Sequence, residues 1–348
     1  MTDEPRVVTP LEVEEEHAAE VALRPQRLED FVGQAGIHEQ VRVLVEAARG
    51  RGEPIDHILL YGPPGLGKTT LAQIIAAEMG VQARLTSGPA LEHQGMLASI
   101  LTSLNDRDVF FIDEVHRLNH AVEEALYPAM EDLAFDFVAG RGAGAQTLRL
   151  SLNRFTVIAA TTRAGALGGP LRDRFGVTFR LDYYDIDELA DIIRRSAHLL
   201  RVAVDDEGAA LLAARARGTP RVANRLLRRA RDYAQVRAAG HIDVAAATAA
   251  LDMLGVDAVG LDEMDRRVLA ALCGPLRGHP VGAQTIAVSV QEEPETIEDV
   301  VEPYLIRLGM LARTPRGRVP TARAYEHLGL TVPAGTVGSG DGQASLFG

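Results

Sequence analysis

Between residues 58 and 161, short runs of apolar residues alternate with stretches whose apolar positions recur at helical spacing. This rhythm is typical of a parallel sheet whose two faces are covered by helices. Strands are predicted at residues 58–61, 81–85, 108–112 and 155–160, and helices at 37–49 and 69–79. The sequence therefore predicts an α/β core.

The pattern changes twice after this core. From Asp185 to residue 256 the chain reads as helices rich in alanine, leucine and arginine, and residues 257–330 combine three short helices with a hairpin. The three helices are expected at residues 262–272, 282–290 and 296–308, the last with a kink at Pro303. Three short helices and a hairpin predict a winged helix.

Five parts follow from these patterns. They are an acidic disordered tail at 1–19, a large α/β domain at 20–184, a small helical domain at 185–256, a winged-helix domain at 257–330 and a flexible tail at 331–348. The first segment has little to bury, and the last is rich in glycine, serine and threonine, so neither is expected to fold alone.

The most informative motif, Gly62 to Thr70, directly follows the first predicted strand. Its spacing G-x-x-x-x-G-K-T matches a phosphate-binding loop, in which glycines let backbone N–H groups meet phosphate oxygens at the start of a helix. Lys68 is expected to reach the outer phosphates, and Thr69 to hold a magnesium ion. Lys68 is also the only lysine beside 35 arginines, which favours a position that a planar guanidinium does not fit.

Two carboxylates, Asp113 and Glu114, end the third predicted strand, at the sheet edge where open α/β sheets bind ligands. Asp113 is expected to orient magnesium, and Glu114 to align or deprotonate an attacking water. A hydroxyl in the segment 161–163, after the fourth strand, is placed to sense the γ-phosphate. His116 and His120 are interpreted as ordinary surface or capping residues.

Two arginines have alternative interpretations. Arg174 lies in the segment 170–175, and spacing alone does not distinguish a functional role from a solvated surface charge. Arg221 falls in the first turn of a helix that Thr219 caps and Pro220 begins, where a cation opposes the helix dipole. Either a phosphate shares that site or a nearby acid pairs with the arginine.

Charge and cysteine content limit the protein class only loosely. The formal net charge is −12, of which residues 1–20 contribute −6, so the total does not exclude nucleic acid. One cysteine, Cys273, excludes internal disulfides and thiolate metal clusters. No signal peptide or run of about 20 apolar residues is visible. We expect a cytoplasmic protein without membrane contact.

A basic segment in the winged-helix region indicates DNA. Residues 307–325 contain five arginines and no acid, whereas the preceding helix carries Glu298, Asp299 and Glu302 and would be repelled by DNA. Such a wing is expected to contact the phosphate backbone without reading bases. A solvated basic turn is the alternative interpretation.

Two further segments suggest partners. Residues 134–153 predict a hairpin that is either a sheet-edge hairpin or a projecting finger for another protein. The chain ends in Gln343-Ala344-Ser345-Leu346-Phe347, which resembles the short peptide with which bacterial proteins dock on the sliding clamp. Such a short match also arises by chance.

The motifs together resemble those of the RuvB family, the Holliday-junction branch-migration ATPases of the AAA+ superfamily. The resemblance covers residues 20–330, and its matching segments are 23–25, 62–70, 113–118, 160–165, 171–176, 218–227, 260–265 and 313–318. It implies an AAA+ ATPase core, a helical lid and a winged-helix head. It further implies a hexameric ring that hydrolyses ATP with Mg2+ and translocates duplex DNA.

The resemblance also assigns residues. The implied catalytic residues are Lys68, Asp113, Glu114 and Arg174. Thr69 and Asp113 are implied to bind the metal, and Arg174 to be an arginine finger that completes the ATP site of the adjacent subunit. The implied nucleotide-binding set is Leu23, Arg24, Gly65, Gly67, Lys68, Thr69, Thr70, Glu131, Asp132, Leu133, Thr162, Arg174, Tyr184 and Arg221. The wing residues Arg313, Arg316 and Arg318 are implied to contact DNA.

The implied partners are duplex DNA at four-way junctions, RuvC, and RuvA through the hairpin at 134–153, whose tip at 138–141 is less apolar than the family pattern. Two other functions are weighed against the motor. A clamp-loader-like AAA+ switch is disfavoured by the winged head, and a non-hydrolysing ATP-binding scaffold by the full set of nucleotide-site residues.

Overall fold

The computed structural model describes residues 6–10, 17–139 and 146–338 of the 348-residue chain. The chain forms two compact units. The first, here called the sheet unit, contains the described residues up to 192 from residue 17 on, together with 219–221. The second, the helical unit, contains 6–10, 193–218 and the described residues from 222 on.

A five-stranded parallel sheet forms the centre of the sheet unit. In chain order the strands of this unit are β1 Ile58–Tyr61, β2 Ala83–Ser87, β3 Val109–Asp113, β4 Ala134–Ala139, β5 Gln146–Ser151, β6 Thr156–Thr161 and β7 Val177–Arg180. The parallel strands follow the order β2-β3-β6-β1-β7. The four predicted strands are confirmed to within two residues at each end. β7 was missed because it is a short edge strand with only Phe179 buried.

Strand order decides where the polar residues meet. β6 lies between β1 and β3, with Ile158 in register with Ile58 on one side and Phe111 on the other. The apolar residues of β3 are all buried, and each contributes about 1.5–3 kcal/mol through burial. The glycine-rich loop, Thr161 and Asp113 therefore lie together at the carboxyl ends of the three neighbouring strands β1, β6 and β3, referred to below as the sheet edge.

Helices flank this sheet. Those that begin before residue 193 are α1 His17–Leu23, α2 Ala35–Arg51, α3 Lys68–Met79, α4 Gln94–Ser103, α5 His120–Glu131, α6 Gly169–Arg172 and α7 Ile186–Leu200. Short 3-10 turns lie at Leu28–Asp30, Val115–Arg117 and Ala164–Ala166. The predicted helices at 37–49 and 69–79 are confirmed to within two residues. α3 is buried almost all round because it packs beneath the sheet's central strands.

β4 and β5 form a separate antiparallel hairpin, with Phe135 opposite Leu150. The hairpin does not extend the five-stranded sheet, so the sheet-edge interpretation is wrong. Phe135 is fully buried in the core of the sheet unit and anchors the base of the hairpin. Residues 140–145 lie outside the described residues.

The helical unit contains the residues expected to form the lid and the head. Its strands are β8 Ala203–Val204, β9 His241–Ile242, β10 Leu311–Thr314 and β11 Gly317–Pro320. The helices after α7 are α8 Asp206–Arg215, α9 Pro220–Arg237, α10 Val244–Met253, α11 Glu263–Cys273, α12 Ala283–Val290, α13 Pro294–Thr296, α14 Glu302–Arg307 and α15 Ala322–His327. All of them lie in the helical unit except the first two residues of α9. Because lid and head residues share one unit, the division at 185 and 257 remains a prediction.

The expected kink at Pro303 takes a specific form. A π-helical turn, Ile297–Val301, joins α13 to α14, and Pro303 stands in the first turn of α14. Proline has no N–H for the helical hydrogen bond, and the wider turn accommodates that loss. The predicted helix at 296–308 is therefore divided. α11, α12 and α14, followed by the β10–β11 hairpin, have the order of a winged helix.

Residues 6–10 differ from the predicted disordered tail at 1–19. Val8 and Thr9 are buried, and the Arg6 guanidinium lies 2.6 Å from Asp262 and 2.8 Å from Asp265. α1 also begins at His17, inside the predicted tail. Arg6 is the only arginine or lysine in the first 20 residues, and its acidic partners lie too far along the chain for the local sequence to reveal them.

No helix among the described residues combines the length and apolar character needed to cross a membrane. The segment Gln343 to Phe347 lies beyond residue 338, outside the described part of the chain.

Candidate nucleotide site and DNA-binding wing

The glycine-rich loop requires its glycines. Gly62, Gly65 and Gly67 have φ angles of 143°, 78° and 96°, which side chains rarely tolerate. A Cβ on Gly62 would lie 2.3 Å from the Leu181 carbonyl oxygen, and one on Gly67 would lie 3.2 Å from the Phe31 ring. The loop is therefore held in the shape that directs backbone N–H groups towards a phosphate.

Lys68 begins α3 and is buried, and its ammonium donates hydrogen bonds to the carbonyls of Gly62 at 2.9 Å and Pro63 at 2.8 Å. Burial lowers the pKa of Lys68 to about 8; Asp113 and Glu114 oppose the shift and Arg221 adds to it. Within the described residues, no carboxylate lies within ion-pair distance of this ammonium. The positive charge is therefore available to an anionic ligand.

Thr69 and Asp113 meet at the sheet edge. The Thr69 hydroxyl donates to Asp113 Oδ2 at 3.2 Å, and the Glu114 N–H donates to Asp113 Oδ1 at 2.8 Å. Hydroxyl and carboxylate oxygens suit magnesium, which is usually shared with phosphate and water. In the described part of the chain, no group of three or more His, Cys, Asp or Glu side chains forms a metal cage. The Thr69 hydroxyl and the Asp113 carboxylate are oxygen donors of the kind that fit a magnesium ion.

Glu114 adopts the left-handed conformation, with φ of 47°, directly after β3. This conformation is uncommon for a residue with a side chain, and it concentrates at functional sites. The carboxylate is exposed and pairs with Arg117 at 2.9 Å. The two acids are adjacent in sequence, but the Asp113 carboxylate contacts Thr69 whereas the Glu114 carboxylate is exposed beside Arg117.

Arg221 lies against the phosphate-binding loop. Its N–H donates to the Gly65 carbonyl at 3.4 Å, and its guanidinium pairs with the buried carboxylate of Glu20 at 3.0 Å. The structure therefore supplies the acid that one sequence interpretation required. It also places Arg221 close enough to Lys68 for the two charges to repel.

Tyr184 closes the other side of the loop. Its hydroxyl donates to the Leu66 carbonyl at 3.3 Å, and burial raises its pKa. A Cβ on Gly33 would lie 2.7 Å from the Tyr184 ring, so Gly33 lets the ring pack closely. Leu23 is buried at the end of α1.

Two of the wing arginines, Arg313 and Arg318, form an ion-pair cluster with Glu298 and Glu302 of the preceding segment. Arg318 lies 2.7 Å from Glu298 and 2.9 Å from Glu302, and only 11% of its side chain is exposed. Arg313 is 61% exposed and lies 3.1 Å from Glu302. Arg316 is exposed at the turn between the strands.

Three consecutive family models match the chain. They are the RuvB Holliday junction DNA helicase P-loop domain at residues 23–181, the RuvB AAA lid domain at 184–257 and the RuvB C-terminal winged-helix domain at 258–329. Among solved structures, the chain is similar to the RuvB Holliday junction branch migration motor of Thermotoga maritima, with 47% identity and a TM-score of 0.81. That match covers 90% of this chain and 100% of the other. The chain belongs to the RuvB family.

A single-substitution mutant of Thermotoga maritima RuvB gives a similar match. It shares 47% identity, covers 89% of this chain and 100% of its own, and has a TM-score of 0.83. As a RuvB family member, the chain is an AAA+ ATPase of the DNA helicase class. The predicted AAA+ core, helical lid and winged-helix head are confirmed by these matches.

The nucleotide-site residues implied by the RuvB resemblance fall into two groups. Around the phosphate-binding loop, the structure brings together residues that are distant in sequence. They are Gly65, Gly67, Lys68, Thr69, Thr70, Asp113, Tyr184 and Arg221. Thr162 directly follows β6 and is exposed at the same sheet edge. Arg24 directly follows Leu23 beyond the end of α1.

Arg174 belongs to the second group. Its guanidinium pairs with Glu131 at 3.0 Å, stacks over the Tyr127 ring at 4.1 Å and donates to the Pro170 carbonyl. Asp132 pairs with Arg149 of the hairpin at 2.8 Å, and Leu133 accepts a backbone hydrogen bond there. Within the described residues, no hydrogen bond or ion pair joins Arg174 to Lys68, Asp113 or Glu114.

One contact at the site was not predicted from the sequence. His116 Nδ1 lies 2.9 Å from the hydroxyl of the buried Thr161, which also accepts a hydrogen bond from the Arg163 N–H. This contact joins the ends of β3 and β6 beside the acids. His116 is therefore not an ordinary surface residue, whereas His120 is, at 83% exposed. Strand order, which the sequence did not supply, was the missing signal.

Proposed function

We propose that this chain is the ATP-driven motor subunit that moves Holliday junctions in recombination and DNA repair. The observation that carries the proposal is the meeting of Thr69 and Asp113, 3.2 Å apart, beside the buried Lys68 at one sheet edge. The 47% identity to a branch migration motor over 90% of the chain supports the same function.

In this proposal the chain's own side chains divide the chemistry of ATP hydrolysis. Lys68 and the N–H groups of the loop bind the β- and γ-phosphates, and Glu114 orients the attacking water and accepts its proton. Thr69 and Asp113 would hold a magnesium ion, which when bound neutralises charge on the phosphates. Thr162 and Arg221 would sense the γ-phosphate, since both lie beside the loop or its sheet edge. Leu23, Arg24 and Tyr184 would line the base-binding side.

Arg174 would complete the site of the adjacent subunit. Its guanidinium is held by Glu131 and Tyr127, away from its own phosphate-binding loop. A finger supplied in trans makes hydrolysis depend on a ring, and the RuvB family implies a hexamer. Glu131, Asp132 and Leu133 would then lie on the same face as the finger.

Duplex DNA is the proposed track. Arg313 and Arg316 are exposed on the wing, and a guanidinium contacts phosphate without reading sequence. Arg318 is mostly buried among acids, so its contribution would depend on those acids. A grip that ignores sequence suits a protein that moves along any duplex.

Further partners are proposed from the family and from two segments. The hairpin built from β4 and β5 stands apart from the main sheet, which suits a contact with RuvA. RuvC is proposed only from the family. The segment Gln343 to Phe347 is proposed to bind the sliding clamp, and its deletion is expected to abolish retention on immobilised clamp.

ATP-dependent conversion of a labelled four-way junction tests the motor. Glu114→Gln keeps the size and hydrogen bonding of the side chain and removes the base. We expect it to bind ATP normally and to lose hydrolysis and conversion by at least about 100-fold. Glu46→Gln, on the exposed face of α2, removes the same charge away from the site and is expected to behave as the parent.

Two results would replace the proposal. ATP binding without turnover by the parental chain, with RuvA present, would indicate a scaffold. Hydrolysis without junction conversion under the same conditions would indicate a loading switch.

A further inference from the structure

The ion pairs at the wing have a regular geometry. Arg313 and Arg318 are cross-strand partners in the β10–β11 hairpin, so their side chains lie side by side. Glu298 lies in the π-helical turn and Glu302 at the start of α14, and both acids reach these two arginines. The four side chains make ion pairs of 2.7–3.9 Å. The two cations would repel each other without these acids.

This cluster changes the electrostatic character of the wing. Two guanidinium groups face two carboxylates, so the cluster has no net charge, although the sequence of the wing alone is strongly basic. A DNA phosphate that approaches Arg313 or Arg318 therefore meets a cation that already has an anionic partner. Its binding must replace part of an existing interaction.

The two acids are not equivalent. The Glu302 side chain is 3% exposed, whereas that of Glu298 is 38% exposed. Because Glu302 is almost fully buried, its carboxylate is held beside the arginines. Glu298 touches Arg318 at 2.7 Å and Arg313 at 3.9 Å from the solvent side. Glu298 is therefore the one of the two acids that is open to solvent, and hence to an approaching phosphate.

We propose that Glu298 competes with the DNA phosphate for Arg313 and Arg318 and so weakens the grip of the wing. Glu298 is thus a positioning residue that acts through the arginines. The inference rests on the proposed DNA contact of the wing. A translocating subunit must release each phosphate after binding it, and an internal anion that rebinds the arginines assists release.

The test compares three variants of the full-length chain. Glu298→Gln removes the charge, but its amide oxygen still accepts a hydrogen bond from Arg318, so the wing keeps its geometry. Glu295→Gln, an exposed acid three residues earlier, makes the same change in net charge without an arginine contact among the described residues. Arg313→Ala removes the proposed DNA contact.

Affinity for a labelled duplex is measured by fluorescence anisotropy with a non-hydrolysable ATP analogue, over a series of salt concentrations. We expect Glu298→Gln to bind about three- to fivefold more tightly than Glu295→Gln, the factor expected for an exposed ion pair. Its log Kd is also expected to rise more steeply with log salt, by about 0.9 per added phosphate contact. Arg313→Ala is expected to bind more weakly than the parent.

Two outcomes overturn the inference and are distinguishable. Equal affinities of the two glutamine variants, with weaker binding by Arg313→Ala, would refute competition by Glu298 and leave the DNA contact intact. Unchanged binding by Arg313→Ala would refute the DNA contact of the wing and the inference with it. Melting temperatures of all variants within the experimental error of the parent establish that the differences arise at the folded wing.

Discussion

Two buried cations, Arg217 of the helical unit and Lys68 of the sheet unit, have different partners. In the helical unit, Arg217 and Asp265 are both buried and paired, and Arg318 has Glu302. In the sheet unit, Lys68 is also buried, but its ammonium touches only backbone carbonyls by hydrogen bonds. A carboxylate of the protein therefore neutralises Arg217, whereas none pairs with Lys68 among the described residues.

This difference separates structural from functional charge. A buried ion pair with all its partners present fixes how elements pack, although its net contribution to stability is often small. A buried cation without a carboxylate partner costs free energy, and its pKa shifts. Such a cost is retained where a ligand removes it, and perturbed pKa values accordingly concentrate at functional sites.

Substitution of Arg174 gives the largest expected effect, because this arginine has a structural ion pair and a proposed catalytic role. It is paired with Glu131 in its own subunit, yet is proposed to act on the nucleotide of another. We expect Arg174→Ala to assemble on DNA and to lose about 10³-fold in kcat for ATP hydrolysis, the range for an arginine finger. Steady-state hydrolysis with saturating DNA measures this loss.

A mixing experiment tests whether the finger acts in trans. Arg174→Ala and Glu114→Gln subunits should each be inactive alone and partly active together, since some interfaces then combine an intact finger with an intact base. Arg180→Ala, an exposed arginine paired with Asp182, is the control and should retain activity. Hydrolysis by Arg174→Ala at the parental rate would contradict the role of the finger.

The second prediction concerns the buried cluster of the helical unit. Asp262 caps α11 and pairs with Arg6 at 2.6 Å. Burial alone would raise the pKa of Asp262, but Arg6 and Arg217 lower it from 3.8 to about 2. A shift of this size corresponds to about 2 kcal/mol of stability at pH 7.

Asp262→Asn isolates that charge, because asparagine remains a good helix cap. A carboxylate whose pKa is lower in the folded state than in the unfolded state stabilises the fold at pH values above the unfolded-state pKa. This stabilisation is lost as the pH falls towards the folded-state pKa. We therefore expect a melting temperature about 4–8 °C lower at pH 7. The difference in the free energy of unfolding between the parent and Asp262→Asn should fall at pH 3 to about half of its value at pH 7.

Calorimetry of the full chain from pH 7 to pH 3 measures both effects. Asp252→Asn, an exposed acid on α10, makes the same chemical change and should not shift the melting temperature. A difference between Asp262→Asn and the parent that stays constant with pH would show that the cap geometry, and not the charge, had been disturbed.

The same contrast explains how much the sequence could predict. The phosphate-binding loop and the Asp113–Glu114 pair are formed by adjacent residues after apolar strands, so local pattern was sufficient to locate them. Their meeting at one edge followed from parallel strand topology. β7 was missed because an edge strand needs no continuous apolar run.

Contacts between distant residues were beyond local pattern. Arg6 and Asp262 are 256 residues apart, and nothing near Arg6 indicates which acid it meets. The wing cluster left a partial signal: Glu298 and Glu302 are spaced for one helix face, and Arg313 and Arg318 flank a turn. The sequence interpretation assigned repulsion from DNA to these acids and overlooked the cations beside them.

Lys68 gives the smallest expected effect and the most direct test of an uncompensated charge. Its pKa is lowered to about 8, so the ammonium form, which binds phosphate, is lost as pH rises through that value. A bound phosphate raises the pKa again. The affinity for ADP with magnesium should therefore be constant below pH 8 and fall up to about tenfold per pH unit above it. The nucleotide itself does not titrate there, since phosphate has its second pKa near 6.

Calorimetric titration between pH 7 and 9.5 measures this dependence, and titrations in buffers of different ionisation enthalpy should reveal uptake of one proton above pH 8. Lys68→Arg is the matched control, because a guanidinium stays charged throughout this range. It is expected to bind ADP more weakly, since its planar group does not fit over the Gly62 and Pro63 carbonyls, and to show no pH dependence. A parental affinity for ADP that stays constant up to pH 9.5 would mean that a carboxylate already neutralises Lys68. The contrast between Lys68 and the paired Arg217 would then not hold.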